Sequence, residues 1–570
     1  MKYEVEILDI PFERENVKRP KTAQIIFNKG EPAEYTEEYG LVEAGEVEAA
    51  IAAKENINID YCYVASLSLR NKTVKSFSAI EAFLDETDFF EAKLVGDTEF
   101  FKAKFGRNAD FSLAKFAGKT NFSRSKFAGD MHFSMAMFDK NVHFFMAEFY
   151  RNADFSQVNF TERTDFGKSQ FDGETDFSGA KFREVTDFFK AKLRKKVDFS
   201  RAEFDRTAFF REAEFGGFVY FSGGRFDGET DFSGADFDET VYFSGAKFSG
   251  ETDFSGVKFS GVTEFVEAEF DGKTNFSGAN FSEKVYFRKA EFGGKVYFSG
   301  AKFSETADFS EIKFCRDAKF EQCKNPRFVL RFELTKFEGS IIMTGISAKK
   351  LNLKKCTVKE TLELTGITVE TLELTGMKNL GHVYIEWERD GVKKAIHNQL
   401  KNCEGCTMLD IAYQFRLLKE NFRSRGQYDD EDKAYVEFRR AEAISMLNGE
   451  NEKKGRTWKR IACYYFKKVL FDYIGVYATK PWRVLLALVG MIIIFGVLYW
   501  GLEGDIKPAT FGDQKLIAAL YYSAITTFTV GFGDISPTNI YVAILTCIEA
   551  FFGVFMMSYF TVAFARKVLR

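Results

Sequence analysis

Residues 230–237 read Thr-Asp-Phe-Ser-Gly-Ala-Asp-Phe, and close variants of this octapeptide follow one another through much of the 570-residue chain. Phenylalanine recurs from Phe89 to Phe314 at steps that alternate between 5 and 6, without a slip in register. All but two of the 42 positions in this ladder are Phe, the exceptions being Leu94 and Leu193, so the ladder holds 40 of the 68 phenylalanines. A strict 11-residue period predicts a solenoid in place of several ordinary domains.

Small residues accompany the ladder. The residue two before the second Phe of each unit is usually Ala, as at Ala235, and the residue two before the first is Thr, Val or Ala. This pattern resembles the pentapeptide-repeat family, in the variant that alternates spacings of 5 and 6. The resemblance implies a right-handed parallel β-helix with Phe and the small residue inside and Ser and Gly at the turns. If two units form one coil, about ten coils at ~4.8 Å each give a rod of roughly 50 Å.

The two ends of the ladder differ from its middle. Residues 1–88 are irregular in pattern and are predicted to cap the N-terminal end, since a solenoid needs capped ends. After Phe314 aliphatic residues replace Phe, and Leu-Glu-Leu-Thr-Gly recurs at 362–366 and 372–376. We therefore expect the β-helix to occupy residues 89–386, with its regular part at 89–314.

A helical period comes after the solenoid. Residues 390–456 are predicted to form an α-helical hairpin, which resembles those of tetratricopeptide repeats and which we interpret as a structural adaptor more readily than as a peptide-binding array. Residues 457–480 mix Lys and Arg with aromatic and aliphatic residues from Trp458 to Tyr473. They are predicted to include an interfacial helix lying on a membrane surface. The alternative is a core helix of the adaptor.

Residues 481–570 contain two long apolar stretches. Val484–Leu502 carries no charge, and Ile540–Ala565 carries a single one, Glu549. A helix as long as the first stretch covers about 28 Å, close to the thickness of a bilayer. Lys and Arg before the first stretch and after the second predict an integral membrane protein with both termini in the cytoplasm, in the plasma (inner) membrane. The charged opening residues 1–4 do not fit a signal peptide.

Between these stretches, an apolar run at 516–528 leads into Thr529-Val530-Gly531-Phe532-Gly533-Asp534. In this setting the hexapeptide resembles the selectivity filter of the two-transmembrane potassium channels, and the resemblance covers about residues 478–570. It implies an all-α pore domain with a re-entrant pore loop, assembled as a homotetramer. K⁺ would be the permeant ion and no cofactor is implied.

The residue types fit that role. In such a filter the backbone carbonyls of Thr529, Val530, Gly531 and Phe532 replace the hydration shell of K⁺. Gly531 and Gly533 supply the unusual backbone conformations that this requires, and Asp534 would concentrate cations at the outer mouth. Phe532 stands where the family usually has Tyr. This substitution keeps the ring but removes a hydroxyl, so the strictness of K⁺ selectivity stays open.

Five residues of the second stretch are candidates for gating. Gly553 lies where the family often has a bending glycine, although close helix packing is an equal alternative. Glu549 is interpreted first as a structural partner of the pore helix or filter backbone, with ion steering and proton sensing as alternatives. Met557, Tyr559 and Phe560 are candidates for an apolar gate near the inner end.

Other sites receive little support. Cys403 and Cys406 form one Cys-x-x-Cys pair near His397, which is one ligand short of a closed zinc site, and we expect free thiols in the cytoplasm. No nucleotide-binding loop or catalytic triad is visible, so we expect no enzyme. Residues 89–314 sum to a net charge of about −5 with mixed signs. That is weak support for DNA mimicry, and we expect no nucleic-acid partner.

The sequence thus predicts a tetrameric potassium-selective channel in the lipid bilayer. Its cytoplasmic β-helix would regulate the pore in response to a cytoplasmic protein or small-molecule regulator. A weakly selective cation channel is the alternative that Phe532 motivates. A membrane-anchored scaffold whose β-helix binds a protein partner is the alternative from another class, although an anchor needs no filter.

Overall fold

The computed structural model describes residues 2–402, 405–450, 457–502, 506–507 and 514–569. The chain divides into two compact units, Met1–Ala395 and Ile396–Arg570. The first is a β-helix with an N-terminal cap, and the second is helical.

Five strands and one helix precede the β-helix. They are Tyr3–Leu8, Phe12–Arg14, Val17–Arg19, Thr22–Phe27, Tyr35–Leu41 and helix α1 at Ala44–Ala52. The longer strands form an antiparallel meander, and its last strand pairs in parallel with Cys62–Ser68 through Gly40 and Leu41. This pairing covers the open edge of the first coil, which would otherwise present unpaired backbone groups.

The β-helix begins earlier than predicted. Strands Ile57–Asn58 and Cys62–Ser68 already pair in parallel with later coils, so residues 57–88 belong to the β-helix and not to the cap. Aliphatic residues such as Leu67 and Val74 take the inward positions there and are 2% exposed. Because they do not continue the Phe ladder, the pattern concealed these coils.

Each coil consists of two 11-residue units and four short strands. The strand at Thr98–Glu99 pairs in parallel with its counterpart one coil later, Thr120–Asn121, and this register repeats along the helix. The four columns of two-residue strands run from Thr98–Glu99 to Ala318–Lys319, from Lys104–Phe105 to Lys302–Phe303, from Ala109–Asp110 to Val285–Tyr286, and from Lys93–Leu94 to Lys313–Phe314. The sheet that contains the column starting at Thr98–Glu99 has 16 strands. The structure is therefore a parallel β-helix, as the resemblance implies.

Stacked phenylalanine rings fill the axis. No side chain of the ladder from Phe89 to Phe314 is more than 2% exposed. Phe232 stacks on Phe254 one coil later, with ring centroids 5.0 Å apart and planes 3° apart. It meets Phe243 edge to face at 5.7 Å and 83°. Both geometries satisfy the ring quadrupoles, and each buried Phe contributes about 1.5–3 kcal/mol of transfer free energy.

One corner in every unit has a left-handed backbone. The residue two after the first Phe has a positive φ in each unit from Glu91 to Glu311. Gly occupies this corner in several coils, as at Gly256, where φ is +66°. Met146 occupies it elsewhere, at a φ of +58°. A Cβ is strained in this conformation, so the coils differ in the backbone strain that they store.

The last coils exchange Phe for aliphatic residues. Strands Ser347–Asn352 and Thr368–Glu373 pair in parallel, and the buried Leu351 and Leu372 face each other in register. The final strand is His382–Tyr384. Helix α2 begins at Val392 and ends at His397.

Seven helices follow α2 in the described part of the chain. They are α3 (Gln399–Asn402), α4 (Met408–Ser424), α5 (Tyr428–Asn448), α6 (Thr457–Lys467), α7 (Pro481–Gly501), α8 (Lys515–Thr527) and α9 (Ile540–Val568), with a π-helical turn at Lys468–Tyr473 after α6. Short strands at Ile506–Lys507 and Ser536–Pro537 pair antiparallel.

Helices α4 and α5 form a hairpin around a left-handed Gly426, whose φ is +70°. Phe415, Leu418 and Phe422 of α4 are buried. No residue of α6 is buried, and Trp458, Tyr465 and Phe466 are exposed. This exposure favours an interfacial helix over a core helix of the adaptor.

Candidate functional site

Two helices, α7 and α9, are long and apolar enough to cross a bilayer. Helix α8 lies between them in sequence, and its 13 residues reach about 20 Å, too short to span. It packs on both through a cluster that includes Tyr499, Tyr522 and Val542. The chain therefore runs partway across with α8 and turns back through residues 528–535 to the start of α9. This path is a re-entrant loop between the two spans.

The backbone after α8 alternates in handedness. Thr529, Gly531 and Gly533 have φ values of +56°, +53° and +78°, whereas Val530 and Phe532 between them are not left-handed. Such alternation turns successive carbonyl groups toward one side of the chain, as cation coordination by carbonyls requires. The two glycines have the kind of conformation that the sequence predicts. The left-handed Thr529 is unexpected, because β-branched residues rarely adopt it.

The start of this segment is anchored to α8. The Thr529 N–H donates to the Thr526 carbonyl at 3.0 Å, and the Val530 N–H donates to the Ile525 carbonyl at 2.9 Å. At the other end, the Asp534 carboxylate accepts a hydrogen bond from the Tyr521 hydroxyl at 3.0 Å. The Phe532 ring between these anchors is 70% exposed in the single chain, so its own helices do not pack against it.

Glu549 joins the three pore helices. Its carboxylate is 0% exposed. It accepts hydrogen bonds from the Tyr499 hydroxyl of α7 at 2.7 Å and the Thr527 hydroxyl of α8 at 2.9 Å. It also accepts one from the Ser523 hydroxyl of α8. These donors were not predicted, although Ser523 and Thr527 stand one helical turn apart in an apolar helix, a spacing that puts them on one face.

Gly553 lies one turn beyond Glu549 and is buried against α8. A Cβ on this residue would overlap the Thr527 carbonyl group. The absence of a side chain therefore sets how closely α9 and α8 approach.

The three gate candidates have different surroundings. Tyr559 is buried, and its hydroxyl accepts from the Ala478 N–H at 2.9 Å and donates to the Phe471 carbonyl at 3.2 Å. Both partners belong to residues 467–478, which precede α7 and are named the connector. Met557 and Phe560 are half-buried and pack on the same cluster. Within one chain Tyr559 thus holds the connector against α9.

Ion pairs tie the hairpin to the connector and to the end of α9. Asp432 of α5 pairs with Arg566 at the end of α9 at 2.9 Å, and the Arg566 guanidinium lies 4.1 Å from the centre of the Tyr435 ring. Two turns along α5, Arg440 binds Asp472 of the connector at 2.8 Å. The hydrogen bonds to Asp472 raise the pKa of the Arg440 guanidinium. One helix therefore contacts the segment before the first span and the end of the second.

One member of the predicted cysteine pair lies in the described part of the chain. Cys403 lies outside the described residues, and Cys406 is half-buried. His397 pairs with Glu437 at 3.1 Å. No group of three or more potential ligands occurs among the described His, Cys, Asp and Glu residues.

Comparison with known protein families separates the same two regions. Residues 484–570 match the family model described as an ion channel. Overlapping matches to pentapeptide repeats extend from residue 188 to residue 324. No curated protein and no solved structure matches the chain. The protein therefore carries an ion-channel domain at its C-terminal end and pentapeptide repeats in the preceding part of the chain.

Proposed function

We propose that the protein is a potassium-selective channel and that K⁺ passes along the backbone carbonyls of residues 529–532. The observation that carries this proposal is the alternating handedness at Thr529, Gly531 and Gly533 in a loop between two membrane-spanning helices. Irregular backbone at membrane depth is tolerated where it lines a water-filled path. Asp534, held by Tyr521, would attract cations to the outer end of this path.

The pore is a homotetramer in this proposal. One loop supplies one wall of a filter, so several chains must surround the ion. The side chains of Val530 and Phe532 are at least half exposed in the single chain, and so are those of Ile544 and Phe551 on α9. Neighbouring chains would cover these groups. Lys and Arg flank the spans, which supports a channel in the plasma membrane with both chain termini in the cytoplasm.

Glu549 acts as a structural partner of α8 in this proposal. Its three hydroxyl donors provide the compensation that a buried acid requires. They also hold α8, from which the filter segment continues. Residues that steer ions would instead face the water-filled path.

The hairpin transmits regulation to the gate. Helix α5 contacts α9 through Asp432 and the connector through Arg440, so a shift of α5 changes both spans together. A cytoplasmic protein or a small molecule bound by the preceding domain would supply the shift. The apolar gate itself is assigned to Met557 and Phe560, because the Tyr559 hydroxyl is engaged with the connector.

Reversal potential tests this function. Purified protein in planar bilayers, with K⁺ on one side and Na⁺ on the other, should reverse near the K⁺ equilibrium potential, and Gly531→Asp should abolish the current. Reversal near zero would support a weakly selective cation channel. If neither the full chain nor a variant lacking residues 1–386 conducts, while the full chain retains a protein partner, the scaffold alternative is correct.

A further inference from the structure

A cavity of about 360 Å³ lies within the second unit, between α5, the connector and the inner part of α9. Its volume is within the ~300–1,000 Å³ typical of small-molecule sites. Phe471, Phe555 and Val562 form much of its apolar wall, and Arg439, Glu442 and Lys467 are its charged residues. The ion pairs of α5 connect these same elements.

The charges at the cavity are unbalanced. Arg439 donates to Glu442 at 2.7 Å, and this pair is neutral. Lys467 is half-buried, and its ammonium donates to the Met446 sulfur at 3.5 Å. A thioether is a weak acceptor for an ammonium group. The cavity therefore offers one positive charge that an incoming anion would satisfy better.

The cavity is connected to the exposed face of α6. The ring of Phe466, which is 58% exposed, meets the ring of Phe471 edge to face at 6.4 Å. Trp458 and Tyr465 continue the exposed apolar face along α6. An amphipathic molecule at a membrane surface would thus find an apolar route from that surface to the cavity wall.

We infer that this cavity binds an amphipathic anion, an acyl chain with one negatively charged head group. The chain lies against Phe471, Phe555 and Val562, and the head group replaces Met446 as the partner of Lys467. An occupied cavity holds α5, the connector and α9 in their present arrangement. The effect on gating rests on the proposed channel function, whereas the binding itself does not.

The binding test uses the full-length protein in nanodiscs of phosphatidylcholine, with dodecanoate as the probe. A ligand that binds the folded state raises the melting temperature by an amount that grows with its concentration. We expect dodecanoate to raise it by several degrees and dodecanol, which lacks the charge, to raise it much less. Equal shifts with both compounds would overturn the proposal.

Two variants locate the site. Ala443 lines the cavity and is 7% exposed, so Ala443→Phe should fill the space and remove the dodecanoate shift, while Ala443→Ser keeps it. Lys467→Met should weaken dodecanoate binding by roughly tenfold or more, because a charge-assisted hydrogen bond is lost. This second variant decides the question where Ala443→Phe does not fold. Undiminished shifts in Lys467→Met would place the ligand elsewhere and refute the inference.

A third arm identifies the source of the acyl anion. Nanodiscs doped with phosphatidylglycerol either stabilise the wild type over Lys467→Met, which makes a bilayer lipid the ligand, or do not, which leaves a free amphiphile. The melting temperature can be measured without any ion current. A failure of the channel proposal would therefore leave the binding result intact, and a failure of binding would leave the reversal potential unaffected.

Discussion

Gly553 of α9 lies directly against the main chain of Thr527, the last residue of α8. A methyl group at Gly553 would overlap the Thr527 carbonyl carbon and oxygen. Thr527 also donates its hydroxyl to Glu549, one turn earlier on α9. Two adjacent turns of α9 therefore hold the end of the helix that leads into the filter segment. Close packing is a role for Gly553 that requires no bending.

Gly553→Ala should damage the pore. The added methyl group would overlap the backbone of Thr527, which cannot easily move aside. Overpacking of this kind costs about 1–3 kcal/mol. We expect a lower melting temperature in detergent and a reduced single-channel conductance. Gly490→Ala in α7 is the matched control, since nothing lies within 4 Å of a Cβ there. If Gly553→Ala retained stability and conductance and altered only the opening rate, a hinge would be the better account.

Glu549→Ala should be more harmful than Glu549→Gln. Alanine removes the acceptor that three hydroxyl groups share. Ser523 can still donate to the Ile492 carbonyl at 3.0 Å, but Thr527 loses the acceptor that it has in the structure, and a buried unsatisfied group costs about 1–3 kcal/mol. Glutamine retains one carbonyl acceptor at nearly the same place. Thermal melting of the purified protein should rank wild type above Gln and Gln above Ala. Equal melting of all three would argue for ion steering or proton sensing instead of structural support.

Asp432 and Arg566 should act as one unit in gating. The pair is 10% and 20% exposed, and charge-assisted hydrogen bonds of this kind contribute about 1.5–3 kcal/mol. Asp432→Asn and Arg566→Gln should each shift the open probability in the same direction, and the double variant should shift it little further. Additive shifts in single-channel recordings would show that the two residues act independently.

At the corners with a left-handed backbone, introducing a glycine and removing one should have opposite effects on the stability of the β-helix. Met146→Gly should stabilise the β-helix, because a side chain in this conformation costs about 1 kcal/mol or more. Gly256→Met is the reverse change at an equivalent corner, with nothing within 4 Å of the added Cβ, and should destabilise it. Chemical unfolding of residues 1–395 measures both. A destabilising Met146→Gly would mean that the Met146 side chain makes contacts that outweigh the strain.

Cysteine labelling should report the orientation of the chain. Cys463 is exposed on α6, whereas burial raises the pKa of the Cys323 and Cys356 thiols to about 12. At pH 8 these two are almost entirely protonated, hence unreactive, and become reactive only on unfolding. A membrane-impermeant maleimide should label Cys463, identified by peptide mapping, only after cells are permeabilised, and Cys463→Ser should remove that label. Labelling of Cys463 in intact cells would reverse the predicted topology.

Local regularity explains which features could be predicted from the sequence. The spacing from Phe89 to Phe314 sets the register of the coils, and the uncharged runs locate α7 and α9, because both signals depend on nearby residues. The coils at residues 57–88 were missed since aliphatic residues replace Phe there. The left-handed backbone of Thr529 could not be predicted, because β-branched residues rarely have a positive φ. Its conformation depends on the hydrogen bonds to α8, which propensity does not register.

Pairs distant in sequence were harder to anticipate. The cost of a buried acid indicated that Glu549 needs partners, but it did not identify Tyr499, which is 50 residues away. Asp432 and Arg566 are 134 residues apart, and the sequence around neither residue indicates that they pair. Such contacts are set by the packing of whole helices.

The four-strand coil gives the rod a discrete length scale. Because every strand pairs with its counterpart one coil later, removing one whole coil shortens the rod by a single layer, ~4.8 Å, and leaves the chain to emerge on the same side. Removing only one of the two units in a coil would bring it out on the opposite side. Tandem duplication during evolution can therefore change the length of this domain in whole layers without changing the side on which the chain leaves it. Duplication of a single unit would move the exit to the opposite side.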